Sequence, residues 1–128
     1  EELGARFRDP ATAPTIFVNL SNIAWFGNTV AIDQHLQISR MRALEFARPV
    51  IRATNTGATA IIASDGQVSQ MLPRHTRGVL VGDVVGGRTI TPYAWWVSRL
   101  QLWPLWLLAL GVPLLVALAR RRRAPPYN

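Results

Sequence analysis

The sequence contains no cysteine and no lysine. The first absence excludes disulfides, cysteine-ligated zinc and a cysteine nucleophile within these residues. The second excludes a Schiff base or a lysine-assisted site among them. Acidic residues are scarce, 7 against 14 basic ones, and every basic residue is Arg. The net charge is +7, but Arg120, Arg121, Arg122 and Arg123 are consecutive, so more than half of the excess belongs to one short tail. A nucleic-acid-binding face needs basic residues spread over a fold. This distribution argues against nucleic acid as a partner. Only His35 and His75 are present, neither beside an acidic cluster, so there is no metal signature. Residues 82–87 fit neither the GxGxxG pattern nor a P-loop, and no cofactor is implied.

What is present begins with one long uncharged run. Residues 100–119 read LQLWPLWLLALGVPLLVALA, with Gln101 the only strongly polar side chain. Twenty residues at about 1.5 Å rise span about 30 Å, the thickness of a bilayer core. Pro104 and Pro113 are better tolerated in a transmembrane helix than in a soluble one. Trp95, Trp96, Trp103 and Trp106 gather at one end, as an interfacial aromatic belt does, and the Arg run follows at the other. The positive-inside tendency puts that basic end in the cytoplasm and the residues before 95 on the opposite face. A buried core helix with a solvated basic tail is the competing reading.

The first ninety residues read as part of an α/β layer. Residues 15–20 (TIFVNL) suit a strand covered on both faces. Residues 21–28 (SNIAWFGN) read as a loop leaving its end. Residues 32–48 have helical periodicity: Ile32, Leu36, Ser39, Ala43, Phe46 and Ala47 fall within one arc of about 100°. Ile38, Met41 and Leu44 lie on the far side and imply a second contact, with another layer, a partner or lipid. Glu45 is spaced to pair with Arg42 or Arg48, and Pro49 is expected to stop the helix. Strands are expected at residues 50–54, 58–63, 67–72 and 78–85. Asn55-Thr56-Gly57 reads as a turn that uses the freedom of Gly57, and Asp65-Gly66 as a hairpin turn. The expected organisation is a main domain over residues 1–94, an aromatic segment and membrane helix over 95–119, and a basic tail over 120–128. The chain opens on Glu1 and not Met, which leads to the expectation of a piece of a longer protein.

Several motifs together resemble the C-terminal part of the bacterial apolipoprotein N-acyltransferases, membrane enzymes with a nitrilase-like domain. They are Ser21-Asn22 with Ala24-Trp25-Phe26-Gly27, Gln34-His35, Arg40-Met41-Arg42-Ala43-Leu44-Glu45, Arg48-Pro49, Arg52-Ala53-Thr54-Asn55-Thr56-Gly57, Thr91-Pro92-Tyr93 and Trp103-Pro104-Leu105-Trp106. The resemblance implies an α-β-β-α sandwich followed by one transmembrane helix, in a bacterial inner membrane with the main domain periplasmic. It implies a phospholipid acyl donor, a Cys thioester, and an apolipoprotein acceptor whose N-terminal diacylglyceryl-cysteine receives the acyl group. The family's Cys nucleophile, Glu base and oxyanion Lys have no counterpart in these residues and are expected upstream of Glu1. No catalytic residue is carried over, and the 128-residue chain alone is expected to be inactive. Ile23 departs from the family, many of whose members carry Asp after Ser-Asn. A non-catalytic, membrane-anchored binding or scaffold module is the alternative.

The candidate substrate-binding residues are Ser21, Asn22, Trp25, Phe26, Gly27 and His35. The resemblance implies that Ser21 and Asn22 hydrogen-bond near the acyl-enzyme and that Trp25 and Phe26 wall an acyl channel or touch lipid. The plainer alternative is that Asn22 caps a turn and Trp25 packs in the core. His35 has no carboxylate partner in sequence, which favours packing over a general-base role. Arg40, Arg42, Arg48 and Arg52 either bind lipid phosphate, pair with carboxylates or lie on a solvated face.

Overall fold

The computed structural model describes residues 2–123. Four strands form one sheet in the order β1-β2-β3-β4: β1 (Phe17–Ser21), β2 (Val50–Thr54), β3 (Ala60–Ile62) and β4 (Val68–Met71). β1 and β2 run parallel, joined through helix α2 (Ala31–Phe46); β2, β3 and β4 are antiparallel neighbours. Parallel pairing needs such a crossover, and the helix covers the sheet on the face where it returns. The helix α1 (Glu2–Ala5) precedes the sheet, and α3 (Pro92–Arg99) and α4 (Trp103–Arg123) follow it.

The core sits between α2 and one face of the sheet. Ala43 meets Val50, Ala60 and Ile62, with Phe17, Leu36 and Val68 at its border. Ile32, Ala43 and Phe46 of the expected stripe are buried, and so is Ser39. Burying an Ile or Phe side chain contributes about 1.5–3 kcal/mol, so this stripe fixes the seat of α2. Ile38, Met41 and Leu44 are exposed on the opposite side. On β1, Val18 and Leu20 alternate out of the core and are exposed. β1 is an edge strand of this sheet.

Aromatic rings join the sheet to α3. Phe7, Phe17 and Phe46 pack with centroid separations of 4.6–6.0 Å, and Tyr93 sits edge-on to Phe46 at 5.5 Å. Thr91 caps α3: its Oγ1 accepts from Ala94 N at 3.0 Å and donates to the Glu45 carbonyl. The start of α3 is thereby bonded to the last turn of α2.

Four expectations change in detail. Helix α2 ends at Phe46, before Pro49, because Ala47 turns left-handed at φ 49° and Arg48 N bonds back to Ala43 O at 3.1 Å. Residues 78–85 form no strand. The chain from 73 to 91 is irregular; Val79, Val81 and Val85 are more than 80% exposed, and Gly82 crosses close to Ile61 and Gln70 on the far face of the sheet. Its glycines weaken extended pairing, and it returns to Thr15, whose carbonyl accepts from Gly87 N at 2.9 Å. Gly57 does not have a positive φ; a Cβ there would collide with Ile23, so packing requires the glycine.

The fourth change concerns the apolar run. It is broken after α3, where Gln101 turns left-handed at φ 48° and Trp96 Nε1 donates to the Gln101 carbonyl at 3.0 Å. Among the described residues no single helix is long and apolar enough to cross a membrane. Pro92–Arg99 and Trp103–Ala119 meet that requirement together, bent by 74°. Pro104 falls in the first turn of α4, where proline lacks nothing it would need to donate, and Pro113 lies inside it. Trp95, Trp96, Trp103 and Trp106 are all exposed around this elbow. α4 runs to Arg123; of the expected basic tail, residues 124–128 lie outside the described residues.

Candidate functional site

Parallel β1 and β2 end side by side, with Ser21 opposite Thr54. The loops that leave them meet. Asn55 Nδ2 donates to Asn22 Oδ1 at 2.7 Å, and Asn55 Oδ1 accepts from Ile23 N at 3.1 Å. Asn22 Oδ1 also accepts from Ala24 N at 3.2 Å. Asn22 is therefore both a turn cap and one half of an inter-loop bridge. Ile23 is buried against Ile32 and Ala58, so its side chain serves as packing. A turn of 3₁₀ helix, Ala24–Phe26, follows, and Gly27 ends it at φ 56°. Nothing lies within 4 Å of a Cβ built there, so Gly27 is needed for its backbone and not for space.

The turn projects its aromatic side chains. Trp25 is 80% exposed and is held by Nε1 donating to Asn22 O at 2.9 Å. Core packing is thus the wrong reading of Trp25. Phe26 leans on the His35 ring at 5.2 Å. The half-buried His35 contributes its carbonyl, which accepts from Ser39 Oγ at 3.2 Å and Arg52 Nη1 at 3.3 Å. The six candidates therefore share one end of the sheet, in the region where strand-end loops commonly build sites.

Sequence reasoning missed how three polar residues are used: Asn55 at this loop, Arg52 within β2, and Arg48 at the opposite end of the sheet. Asn55 was legible only as turn chemistry, although it bridges two loops. Arg48 and Arg52 are neither solvated nor paired with a carboxylate among the described residues; both are 1% exposed. Arg48 Nε donates to Pro14 O at 2.6 Å, and Nη1 to the carbonyls of Phe46, Ala47 and Thr89 at 2.7–3.0 Å. Its guanidinium also lies 5.1 Å from the Phe7 ring centroid. Burial lowers both guanidinium pKa values from their ordinary level. Arg42 pairs with Glu45 at 2.5 Å, as its spacing predicts. Arg40 is spent on Gly66 O at 2.8 Å and Gln37 Oε1 at 2.9 Å. His75 lies in the exposed loop.

The sheet, α2 and both loops fall inside residues 11–91, which match the family model for carbon-nitrogen hydrolases. The chain belongs to the carbon-nitrogen hydrolase family. It is 74% identical over 106 residues to the apolipoprotein N-acyltransferase of Verminephrobacter eiseniae, covering 77% of this chain and 20% of that protein. It is 52% identical over 127 residues to the apolipoprotein N-acyltransferase of Ralstonia nicotianae, covering 97% and 23% respectively. With the Vibrio cholerae protein of the same name, identity is 43% over 119 residues. The chain thus spans about a fifth of the length of these curated relatives. In this family member the two strand-end loops meet at one end of the sheet with Trp25 exposed beside them, and the sequence holds no Cys.

Proposed function

We propose that these residues are the C-terminal portion of a longer membrane N-acyltransferase. The observation that carries this reading is the 52% identity that runs through 97% of the chain, α3 and α4 included. In the proposed reaction a Cys thiolate upstream attacks an ester carbonyl of a phospholipid. A thioester forms and lysophospholipid leaves. The α-amino group of a lipoprotein's diacylglyceryl-cysteine then attacks the thioester, forms the amide and returns the thiol. The residues described above act as scaffold and rim: Ser21 and Asn22 hold the loop beside the acyl-enzyme, and Trp25 and Phe26 border the acyl chain. The exposure of Trp25, fixed in place by its indole N–H, supports that role.

The bent pair α3–α4 serves as the membrane attachment in this reading. Its support is the uncharged run, the four Trp residues at the elbow and the Arg residues at the far end. The domain then lies on the periplasmic side of the inner membrane, with residues 120–128 toward the cytoplasm. The purified 128-residue chain, given phospholipid and a diacylglyceryl-cysteine peptide in detergent, is expected to transfer no acyl group, while the longer protein does. Transfer by the short chain would sink the reading.

A further inference from the structure

Arg52 is used on one side only. Its Nη1 donates to Ser39 Oγ at 2.9 Å and to His35 O at 3.3 Å. Nε and Nη2 are buried and have no hydrogen-bond partner among the described residues. These two N–H groups form one edge of the guanidinium plane, an edge that receives a carboxylate bidentately. On the same face of β2, two residues on, Thr54 Oγ1 is also buried and unpartnered. Parallel pairing sets Asn19 beside Arg52 and Ser21 beside Thr54, and Asn19 is occupied by the Ser21 hydroxyl.

No carboxylate of the described residues pairs with Arg52. Glu45 pairs with Arg42 and Asp33 with Arg74. Asp9 and Asp65 accept from their own turns. A buried guanidinium edge is costly when its compensating partner is lacking. The open side of the sheet next to β2 and its Arg52 is the edge of β1. Asn19, the register neighbour of Arg52, and Ser39, its hydrogen-bond partner, both line a groove of about 270 Å³ along β1, together with Phe17, Ile38 and Val50.

We propose that a carboxylate side chain, carried by a strand that pairs with the free edge of β1, seats on the Nε–Nη2 edge of Arg52, with Thr54 Oγ1 as a further donor. The inference rests on the reading that these residues belong to a longer enzyme, which supplies that strand. A bidentate buried pair of this kind fixes register, since a one-residue slip would turn the carboxylate to the opposite face. Arg52 is thus a positioning residue: it aligns the neighbouring strand with the Ser21–Gly27 loop.

The test is a set of double-mutant cycles in the full-length protein, read as thermal midpoints in detergent. Arg52→Met and Arg52→Lys are each combined with Asp→Asn or Glu→Gln along the strand adjoining β1. Both single Arg52 variants are expected to lose several degrees, Lys included, because it keeps the charge and loses the fork. At one acidic position the double variant is expected to fall no further than the single ones. Additive losses at every position would overturn the proposal, as would an unchanged or raised midpoint for Arg52→Met. If Arg52→Met does not fold, the Arg52→Lys cycles decide alone. Inorganic phosphate that raises the wild-type midpoint and not that of Arg52→Lys would assign the edge to a diffusing oxyanion and also overturn it. A native product of only 14.2 kDa would instead defeat the longer-enzyme reading itself.

Discussion

Asn55 carries out two hydrogen bonds that no backbone group replaces, one to Asn22 and one to Ile23 N. Asn55→Ala in the intact protein is therefore expected to cost about 1–2 kcal/mol. It should also loosen the Trp25 turn, seen as a fall in the anisotropy of Trp emission. Unchanged stability and anisotropy would contradict the bridge. Arg48 presents a harder case. One guanidinium joins Pro14 in the segment leading to β1, the carbonyl end of α2 and the approach to α3. The carbonyl end of a helix favours a cation, and a planar fork reaches directions that an ammonium cannot. Arg48→Lys should thus be nearly as harmful as Arg48→Met, each costing about 3 kcal/mol by denaturant unfolding. A silent Lys variant would show that charge alone suffices. Neither Arg was legible as buried. A sequence gives a guanidinium's charge, but carbonyls as far along the chain as Pro14 and Thr89 leave no local pattern.

At the scale of elements, periodicity was most informative where one face is buried. The stripe from Ile32 to Phe46 placed α2 correctly because a helix over a sheet must hide that arc. Strands β1 to β4 each lie within two residues of their expected ends, but β1, expected to be covered on both faces, is an edge strand with Val18 and Leu20 exposed. Residues 78–85 misled because Val, Leu and Gly alternate there without a partner strand to hydrogen-bond. The end of α2 misled because Pro49 is an obvious stop, whereas the left-handed Ala47 ends the helix earlier. That residue gives a simple test. Glycine lacks the Cβ that makes φ 49° unfavourable. Ala47→Gly is expected to stabilise the protein by about 1 kcal/mol, raising the thermal midpoint by a few degrees. A lower midpoint would mean that the Ala47 methyl group packs more than the backbone strains.

For the whole molecule, the domain and the apolar arm are mechanically joined. Thr91 bonds to Glu45, Arg8 Nε donates to Ser98 O at 3.4 Å, and Gly4 lies against Val97. α3 is therefore packed against the domain, and the bend at residues 100–102 sets the direction of α4 relative to α3. The sequence marked the apolar run and the Trp cluster plainly. It did not reveal the 74° elbow, because a left-handed Gln101 carries no signature comparable to glycine. Exposed Val18 and Leu20 and the edge of β1 leave a further layer to be supplied by the longer protein proposed above.

The most direct measurement is the mass and membrane behaviour of the native product, detected with an antibody to residues 120–128 in cells of the source. The account predicts a single band several-fold heavier than 14.2 kDa that stays in the membrane through alkaline carbonate extraction. A band at 14.2 kDa, or one released by carbonate, would contradict it.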